Sequence, residues 1–113
     1  MAHEKNDLKD SFLVSSKIIE ALSSKVRQDI IIELASVYPN GLRINEIHLK
    51  KCITRPTMSF HMKLLVRAEL VQYKKVGTKN YYYLSYKPKD LDCVLKLFNQ
   101  LQDWVGDSSD ASN

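Results

Sequence analysis

The hydrophobic period of this sequence changes abruptly beyond the middle of the chain. Before the change, Met58, Met62 and Leu65 follow a spacing of three to four residues, which is typical of a helix with one buried face. After it, β-branched and aromatic residues fill two short runs within 70–85, on either side of Gly77. Such runs around a glycine predict a β-hairpin, here with a basic tip. The chain is therefore expected to combine helices with a hairpin.

The helix before the change is predicted to span 54–68. Thr54 is suited to cap it, and Pro56 falls in its first turn, where a missing N–H costs little. Four polar side chains lie off the apolar stripe: Arg55, Thr57, Ser59 and Lys63. The two cations can reach phosphates or guanine edges, and the two hydroxyls are short enough to touch bases. The alternative is an ordinary amphipathic helix whose basic residues only keep it in solution.

The remaining apolar patterns predict four more helices: 10–22, 25–37, 44–51 and 88–105. With the hairpin, they give the order α-α-α-α-β-β-α over one domain at 10–105. This order predicts a mostly α fold with a small hairpin wing (α+β), a winged helix-turn-helix. The segment 1–9 is predicted to be flexible, and the Ser/Asp-rich segment 106–113 is predicted to be a disordered tail.

The charged residues divide the chain into three blocks. Residues 1–46 carry six Lys or Arg against seven Asp or Glu, residues 47–89 carry ten against one, and residues 90–113 carry one against five. Helix 54–68 and the hairpin thus share a block of net charge +9, although the whole chain carries only +4. A positive block between two acidic ones indicates a surface for a polyanion.

The first and last predicted helices carry more apolar surface than one small domain can cover. Apolar residues occupy most of the circumference of the last helix, so part of its surface should meet another chain. A homodimer is therefore predicted. Its contacts are expected from five residues of these two helices: Phe12, Ile19, Phe98, Leu101 and Trp104.

Several functional classes find no support in the sequence. It has no glycine-rich phosphate loop, no HExxH motif and no nucleophile elbow, so an enzyme is not expected. No apolar run approaches the roughly 20 residues that span a bilayer. The chain starts without a signal peptide, and its two cysteines form no spaced framework. These features predict a cytoplasmic protein.

Three stretches follow a recognisable set of motifs in order: ALSSKVR at 21–27, SFHMKLLVRAELV at 59–71 and KVGTKNYY at 75–82. They resemble the ArsR/SmtB (arsenic-repressor) family of bacterial transcription regulators. The second stretch is similar to the family pattern S-x-H-[LM]-K-x-L-x-x-A-G-L-V, and the third to its wing pattern R-x-G-[RK]-x-x-Y-Y. The resemblance covers roughly 18–84. It implies a homodimeric repressor that releases its operator DNA when an effector binds.

The resemblance also implies which side chains contact double-stranded DNA. Groove contacts are expected from the early turns of helix 54–68, at Arg55, Thr57, Ser59 and Phe60. Wing contacts are expected at Lys75, Thr78 and Lys79. Phe60 replaces a residue that is usually polar, and it could press on a thymine methyl.

The resemblance also has a separate implication for each of two further residues, Glu69 and His61. Glu69 stands where the family has a glycine, so the turn after helix 54–68 is expected to close differently. His61 matches the family pattern, which places it near the packed side of the helix and so predicts a structural role. Contact between His61 and a phosphate is the alternative.

Many members of that family sense metals, but this sequence lacks their ligands. There is no cysteine near 44–47, where one family site lies. The region of the other site offers only carboxylates: Asp90, Asp92 and Asp103. Because such sites need thiolate or imidazole ligands, no metal and no cofactor is predicted. Cys52 and Cys93 are expected to be separate buried thiols; the alternatives are a redox pair, or a metal held between two copies of Cys93 across a dimer.

Two other interpretations stay open. A winged helix can also bind protein, with Tyr73, Tyr81, Tyr82 and Tyr83 as interface aromatics. A MarR-like (multiple-antibiotic-resistance) regulator is a second possibility, although those chains usually carry a longer terminal dimerisation region. The main prediction is a sequence-specific regulator, a repressor, that binds a near-palindromic operator in duplex DNA and whose effector is unknown.

Overall fold

The computed structural model describes residues 5–86, 88 and 91–112, with side chains described as far as Gly106. The elements in order are α1 (Lys5–Leu22), α2 (Lys25–Val37), a 3-10 turn (Ile44–Glu46), α3 (Arg55–Arg67), β1 (Val71–Val76), β2 (Lys79–Leu84) and α4 (Leu91–Ser112). The predicted fold class, a winged helix-turn-helix, is confirmed. No helix within this described part of the chain is both long and apolar enough to cross a membrane.

The core lies where the first three helices meet beneath the hairpin. Its most buried large side chains come from these helices and the start of β1: Ile18, Ile30, Leu34, Met62, Leu65 and Val71. The predicted apolar stripe of α3 is confirmed, since Met58 is buried along with Met62 and Leu65. Full burial of such a side chain contributes about 1.5–3 kcal/mol, so this stripe fixes which side of α3 faces solvent.

Helices α1 and α4 pack side by side. The interior side of α1 buries three small or branched side chains: Ser15, Ile18 and Ala21. Helix α4 buries Val94 and Leu97. Where the two helices meet, the Ser11 hydroxyl donates a hydrogen bond of 2.7 Å to Oε1 of Gln100. Each of the two helices therefore packs one side against the domain and turns its other side to solvent.

The predicted helix over 44–51 is too long. The structure has only the 3-10 turn there, which the Glu46 carboxylate caps by accepting from a backbone N–H at 2.8 Å. Beyond the turn, Ile47 is buried, His48 is exposed and Leu49 is half-buried. Alternate residues thus point inward, which is the period of an extended segment and cannot continue one face of a helix.

The helix bounds at the two chain ends also differ from the prediction. Helix α1 begins at Lys5, within the segment predicted to be flexible, and Asp7 in its first turn complements the helix dipole. Helix α4 begins at Leu91, shortly after the proline predicted to open it, and continues to Ser112 through the predicted tail. Gly106 does not end it, because one glycine inside a helix costs only about 1 kcal/mol relative to alanine.

The hairpin is confirmed within the predicted range. Its strands pair antiparallel, from Val71 opposite Leu84 to Val76 opposite Lys79, so only two residues connect them. The first of these is Gly77, whose φ of +64° lies in the left-handed region that glycine adopts without steric cost. A glycine with positive φ at the first of two loop positions fits a type II′ turn, which suits the twist of paired strands.

Gly41 lies where the chain before the 3-10 turn touches the hairpin. Leu42 and Tyr82 exchange two backbone hydrogen bonds of 2.8 Å, N–H to carbonyl in each direction. A Cβ on Gly41 would lie 2.7 Å from the Tyr82 carbonyl oxygen, closer than real Cβ contacts. The absence of a side chain therefore permits this contact, which ties the hairpin to the segment leading into α3.

Helix α3 ends in a turn centred on Glu69, whose φ is +60°. The Glu69 N–H donates to the Val66 carbonyl at 2.9 Å, and the Leu70 N–H donates to the Leu65 carbonyl at 3.1 Å. This pair of bonds is a Schellman motif, the same closure that a glycine would give. The prediction that the turn closes differently is therefore wrong, and Glu69 bears the steric cost of the left-handed backbone.

We expect Glu69→Gly to stabilise the protein. The left-handed conformation costs a residue with a Cβ about 1–2 kcal/mol, and the greater freedom of glycine in the unfolded chain offsets about 0.5–1 kcal/mol of that. The free energy of unfolding, measured by urea denaturation, should therefore rise by about 0.5–1 kcal/mol. Glu69→Ala is the control, because it removes the charge but keeps the Cβ. An equal gain in both variants would attribute the effect to charge.

Candidate nucleic-acid interface

The first half of α3 presents its predicted DNA-contacting side chains to solvent. The Thr54 hydroxyl accepts from the Thr57 N–H at 3.4 Å and donates to the Thr57 hydroxyl at 2.9 Å. This confirmed cap starts the helix at Arg55, with Pro56 at a position where no N–H is needed. Four of the five predicted side chains are exposed, and Ser59 is half-buried: Arg55, Thr57, Ser59, Phe60 and Lys63.

The hairpin places its predicted residues around its tip. Lys75, Thr78 and Lys79 are all exposed. Lys79 opens β2 directly after the turn, and Lys75 pairs in register with Asn80. The tip therefore projects two cations and a hydroxyl from a short, well-defined turn.

A small cleft joins the start of α3 to the hairpin tip. We call it the tip cleft; its volume is about 140 Å³. Three cations line it from three different elements: Arg43 before the 3-10 turn, Arg55 on α3 and Lys79 on β2. Thr78 and Asn80 add a hydroxyl and an amide. Convergent cations and polar donors of this kind suit a phosphate group of a nucleic-acid backbone.

A larger groove runs between the rest of α3 and the hairpin. We call it the wing groove; its volume is about 450 Å³. Ser59, Lys63 and Arg67 line it from α3, and Tyr73 and Asn80 line it from the hairpin. The structure therefore divides the predicted DNA-contacting residues between the two clefts. Ser59 and Lys63 line the wing groove, and Arg55, Thr78 and Lys79 line the tip cleft. Thr57, Phe60 and Lys75 line neither.

Sequence reasoning missed three residues at this surface: Arg43, Arg67 and Asn80. Arg67 lies four residues after Lys63 on α3, so helical spacing was a usable signal for it. Arg43 belongs to the net acidic first block of the chain, so its charge does not point to this surface. It reaches the tip cleft because the Leu42–Tyr82 backbone contact brings its segment to the hairpin. No local pattern in the sequence indicates that contact.

The back of α3 is held by the buried side chain of Arg27. Its Nε donates to the Ala21 carbonyl at 2.8 Å and its Nη2 to the Glu20 carbonyl at 3.1 Å, so it closes the end of α1. Its Nη1 lies 2.9 Å from Nδ1 of His61 on α3. Because arginine has only donors, Nδ1 must accept and is unprotonated. The predicted structural role of His61 is confirmed.

Burial and the nearby Arg27 guanidinium lower the pKa of His61 below its ordinary 6.5. The unfolded chain therefore binds a proton at this residue at a higher pH than the folded chain does. By linkage, the stability from neutral His61 is present above pH 6.5 and is lost as the pH falls toward the lowered pKa.

We expect acid to destabilise the protein partly through this histidine. Between pH 8 and pH 5.5, the free energy of unfolding should fall more in the unmodified protein than in His61→Asn. Asparagine can place an acceptor oxygen near the position of Nδ1 but does not titrate. Urea denaturation at the two pH values checks this. An identical pH dependence in both proteins would show that His61 does not contribute.

The two cysteines are free thiols and are not joined by a disulfide. Cys93 is half-buried, but Cys52 is exposed, so the prediction of a buried niche is wrong for Cys52. Cys52 lies in the irregular segment directly before α3, where its neighbour Lys51 is also exposed. Among the side chains that the structure describes, no three of His, Cys, Asp or Glu are placed to hold a metal ion. Asp90 lies outside the described residues.

No protein-family model and no curated protein sequence matches this chain. Solved structures do match it in fold. An ArsR-like transcriptional regulator from Rhodococcus sp. RHA1 has a TM-score of 0.63 at 19% identity, covering 91% of this chain and 86% of its own. NolR from Sinorhizobium fredii also has a TM-score of 0.63 at 19% identity, covering 94% and 98%.

A third match is described as a homodimeric winged helix-turn-helix DNA-binding domain. It comes from Mycobacterium bovis, is described as a possible ArsR-family transcriptional regulator, and has a TM-score of 0.59 at 20% identity, covering 98% of this chain and 95% of its own. At such identities the likeness shows the fold alone. The resemblance that the motifs indicated is thus confirmed at the level of structure: this chain has the winged helix-turn-helix fold of ArsR-like transcriptional regulators.

Proposed function

We propose that this protein is a sequence-specific DNA-binding transcriptional regulator, a repressor of the ArsR type. The observation that carries the proposal is the convergence of Arg43, Arg55 and Lys79 on the tip cleft. These cations come from three elements, so the fold, and not local sequence, brings them together. In this arrangement α3 lies in the major groove and the hairpin contacts the backbone or minor groove.

The charge distribution supports the same surface. The block from 47 to 89 carries a net charge of +9, and it contains both α3 and the hairpin. The flanking blocks, which contain α1, α2 and all of α4, are net acidic. A duplex therefore meets one positive face on a protein whose other helices do not attract it.

The proposal includes a homodimer joined through α1 and α4. Of the five predicted interface residues, three are large and exposed in one protomer: Phe12, Ile19 and Phe98. The structural relative from Mycobacterium bovis is homodimeric. Two recognition helices in a symmetric dimer would read a near-palindromic operator whose half-sites lie about one helical turn apart, or a multiple of it. A protein that binds an operator must share a compartment with the genome, so the proposal includes a cytoplasmic location.

Selection of bound sites from random duplexes, repeated with two variants, tests the assignment of base reading. Arg55→Ala should relax the preference at one base pair of each half-site, at a cost of about 1–3 kcal/mol on the best site. Lys79→Ala should weaken all sequences about equally, because a phosphate contact carries no sequence information. Lys25→Ala is the control, because Lys25 is highly exposed on α2 and lies outside both clefts. This variant should bind DNA as the unmodified protein does.

If Arg55→Ala keeps the sequence preference of the unmodified protein, Arg55 does not read a base. A protein that selects no sequence from the random pool would remove the regulator proposal itself. The protein-binding alternative relies on the hairpin tyrosines, but Tyr82 packs on the core and Tyr81 and Tyr83 are half-buried. These contacts leave only Tyr73 of the four largely exposed, which favours the DNA-binding interpretation.

A further inference from the structure

The wing groove has an apolar interior that phosphate contacts do not need. Met62, which is only 1% exposed, lies at its base, and Val66 lines it beside Met62. On the opposite wall, the rings of Tyr73 and Tyr82 lie 5.8 Å apart between centroids. The volume of about 450 Å³ is in the range of small-molecule pockets, which are mostly apolar with a few placed polar groups.

One rim of the groove is cationic. Lys63 and Arg67 lie one helical turn apart on α3, and both are exposed. In the part of the chain that the structure describes, neither forms an ion pair, and no acidic residue lines the groove. A guanidinium in this position can hold a carboxylate through two parallel hydrogen bonds. Ser59 and Asn80 offer further donors.

We propose that the wing groove binds a small organic anion with an aromatic body. The ring would lie between Met62 and the two tyrosines, and its carboxylate would meet Lys63 and Arg67. Aromatic rings pack well on tyrosine and methionine side chains, and the unpaired cations supply the charge complement.

Such a ligand would act as an inducer, and this step rests on the proposed function. Ser59 and Lys63 belong both to the groove and to the residues proposed to contact DNA. A bound anion would neutralise Lys63 and occupy the space beside it. Ligand and operator would then exclude each other, and ligand at ten times its own Kd would raise the apparent Kd for DNA about tenfold.

The test uses 1-naphthoate as probe and the neutral 1-naphthalenemethanol as its matched control, with the ¹⁵N-labelled full chain in NMR. We expect naphthoate to shift the amide signals of groove residues such as Ser59, Val66 and Asn80, and the alcohol to bind at least tenfold more weakly. Arg67→Gln should weaken naphthoate binding about tenfold, as loss of a charge-assisted bond predicts. Lys74 lies on the other face of the hairpin. Lys74→Gln removes the same charge and should leave the affinity for naphthoate unchanged.

The outcomes separate this inference from the proposed function. Shifts confined to α1 and α4, or equal binding of acid and alcohol, would overturn the groove site. If naphthoate binds in the groove and Arg67→Gln weakens it as expected, but the protein binds no duplex, the ligand site would stand and the proposed regulator function would be overturned. Simultaneous binding of naphthoate and operator at full affinity would overturn the inducer role.

Discussion

A tenfold rise in salt concentration should weaken the proposed binding of this protein to an operator by about five orders of magnitude. Each phosphate neutralised by a lysine or arginine releases condensed counterions, and the slope of log K against log salt is about −0.9 per phosphate. If a dimer neutralises about six phosphates, three from each protomer, the slope is near −5. The tip cleft and the hairpin tip supply the cations for three phosphate contacts in each protomer: Arg43, Lys75 and Lys79.

Fluorescence anisotropy of a labelled operator over a series of potassium chloride concentrations measures this slope. Lys79→Gln, which removes one contact from each protomer, should reduce its magnitude by about 2 in the dimer. Lys25→Gln removes an equal charge from an exposed position on α2 and should leave the slope unchanged. A slope near zero in the unmodified protein would mean that the +9 block does not face DNA.

The sequence predicted α3 and the hairpin well because their signals are local. A Thr cap, a proline in the first turn and an apolar spacing of three to four residues define α3 without reference to the rest of the chain. Gly77 likewise defines the hairpin turn. The residues between 44 and 51 gave a weak signal, and tertiary contacts decided it in favour of a short turn and an extended segment.

The composition of the two clefts could not be predicted from the sequence. Arg43 reaches the tip cleft beside Arg55 only because Gly41 lets the chain approach the Tyr82 carbonyl. No periodicity in the sequence indicates that close approach. The turn at Glu69 shows a different failure. A missing glycine suggested a changed turn, but the two Schellman bonds and the buried stripe of α3 hold the backbone in the same geometry.

The apolar outer sides of α1 and α4 lead to the second large expected effect. In one protomer, Phe12 and Ile19 on α1 are 45% and 39% exposed, and Phe98 on α4 is 57% exposed. Two further residues of α4 in the predicted interface, Leu101 and Trp104, are half-buried. Apolar exposure on two neighbouring helices is typical of a dimer interface, so the protein should sediment as a dimer at micromolar concentration.

Phe98→Glu should convert this dimer to a monomer and abolish tight operator binding. Burial of a phenylalanine contributes about 1.5–3 kcal/mol, and a symmetric dimer contains two copies. Because Phe98 is 57% exposed in one protomer, only about half of that burial is gained at the interface, so the loss of both copies raises the dimer Kd about 20- to 300-fold, before the cost of placing carboxylates in the interface. A monomer presents one recognition helix, so it would read a single half-site with correspondingly weaker affinity.

Ile32→Glu is the matched control, since Ile32 is 62% exposed on α2, outside the predicted interface. Sedimentation velocity and operator titration of both variants separate assembly from folding, with circular dichroism to check that each remains helical. We expect Ile32→Glu to stay dimeric and bind DNA as before. A dimeric Phe98→Glu would place the interface elsewhere. A monomeric Phe98→Glu with full operator affinity would show that one recognition helix is sufficient.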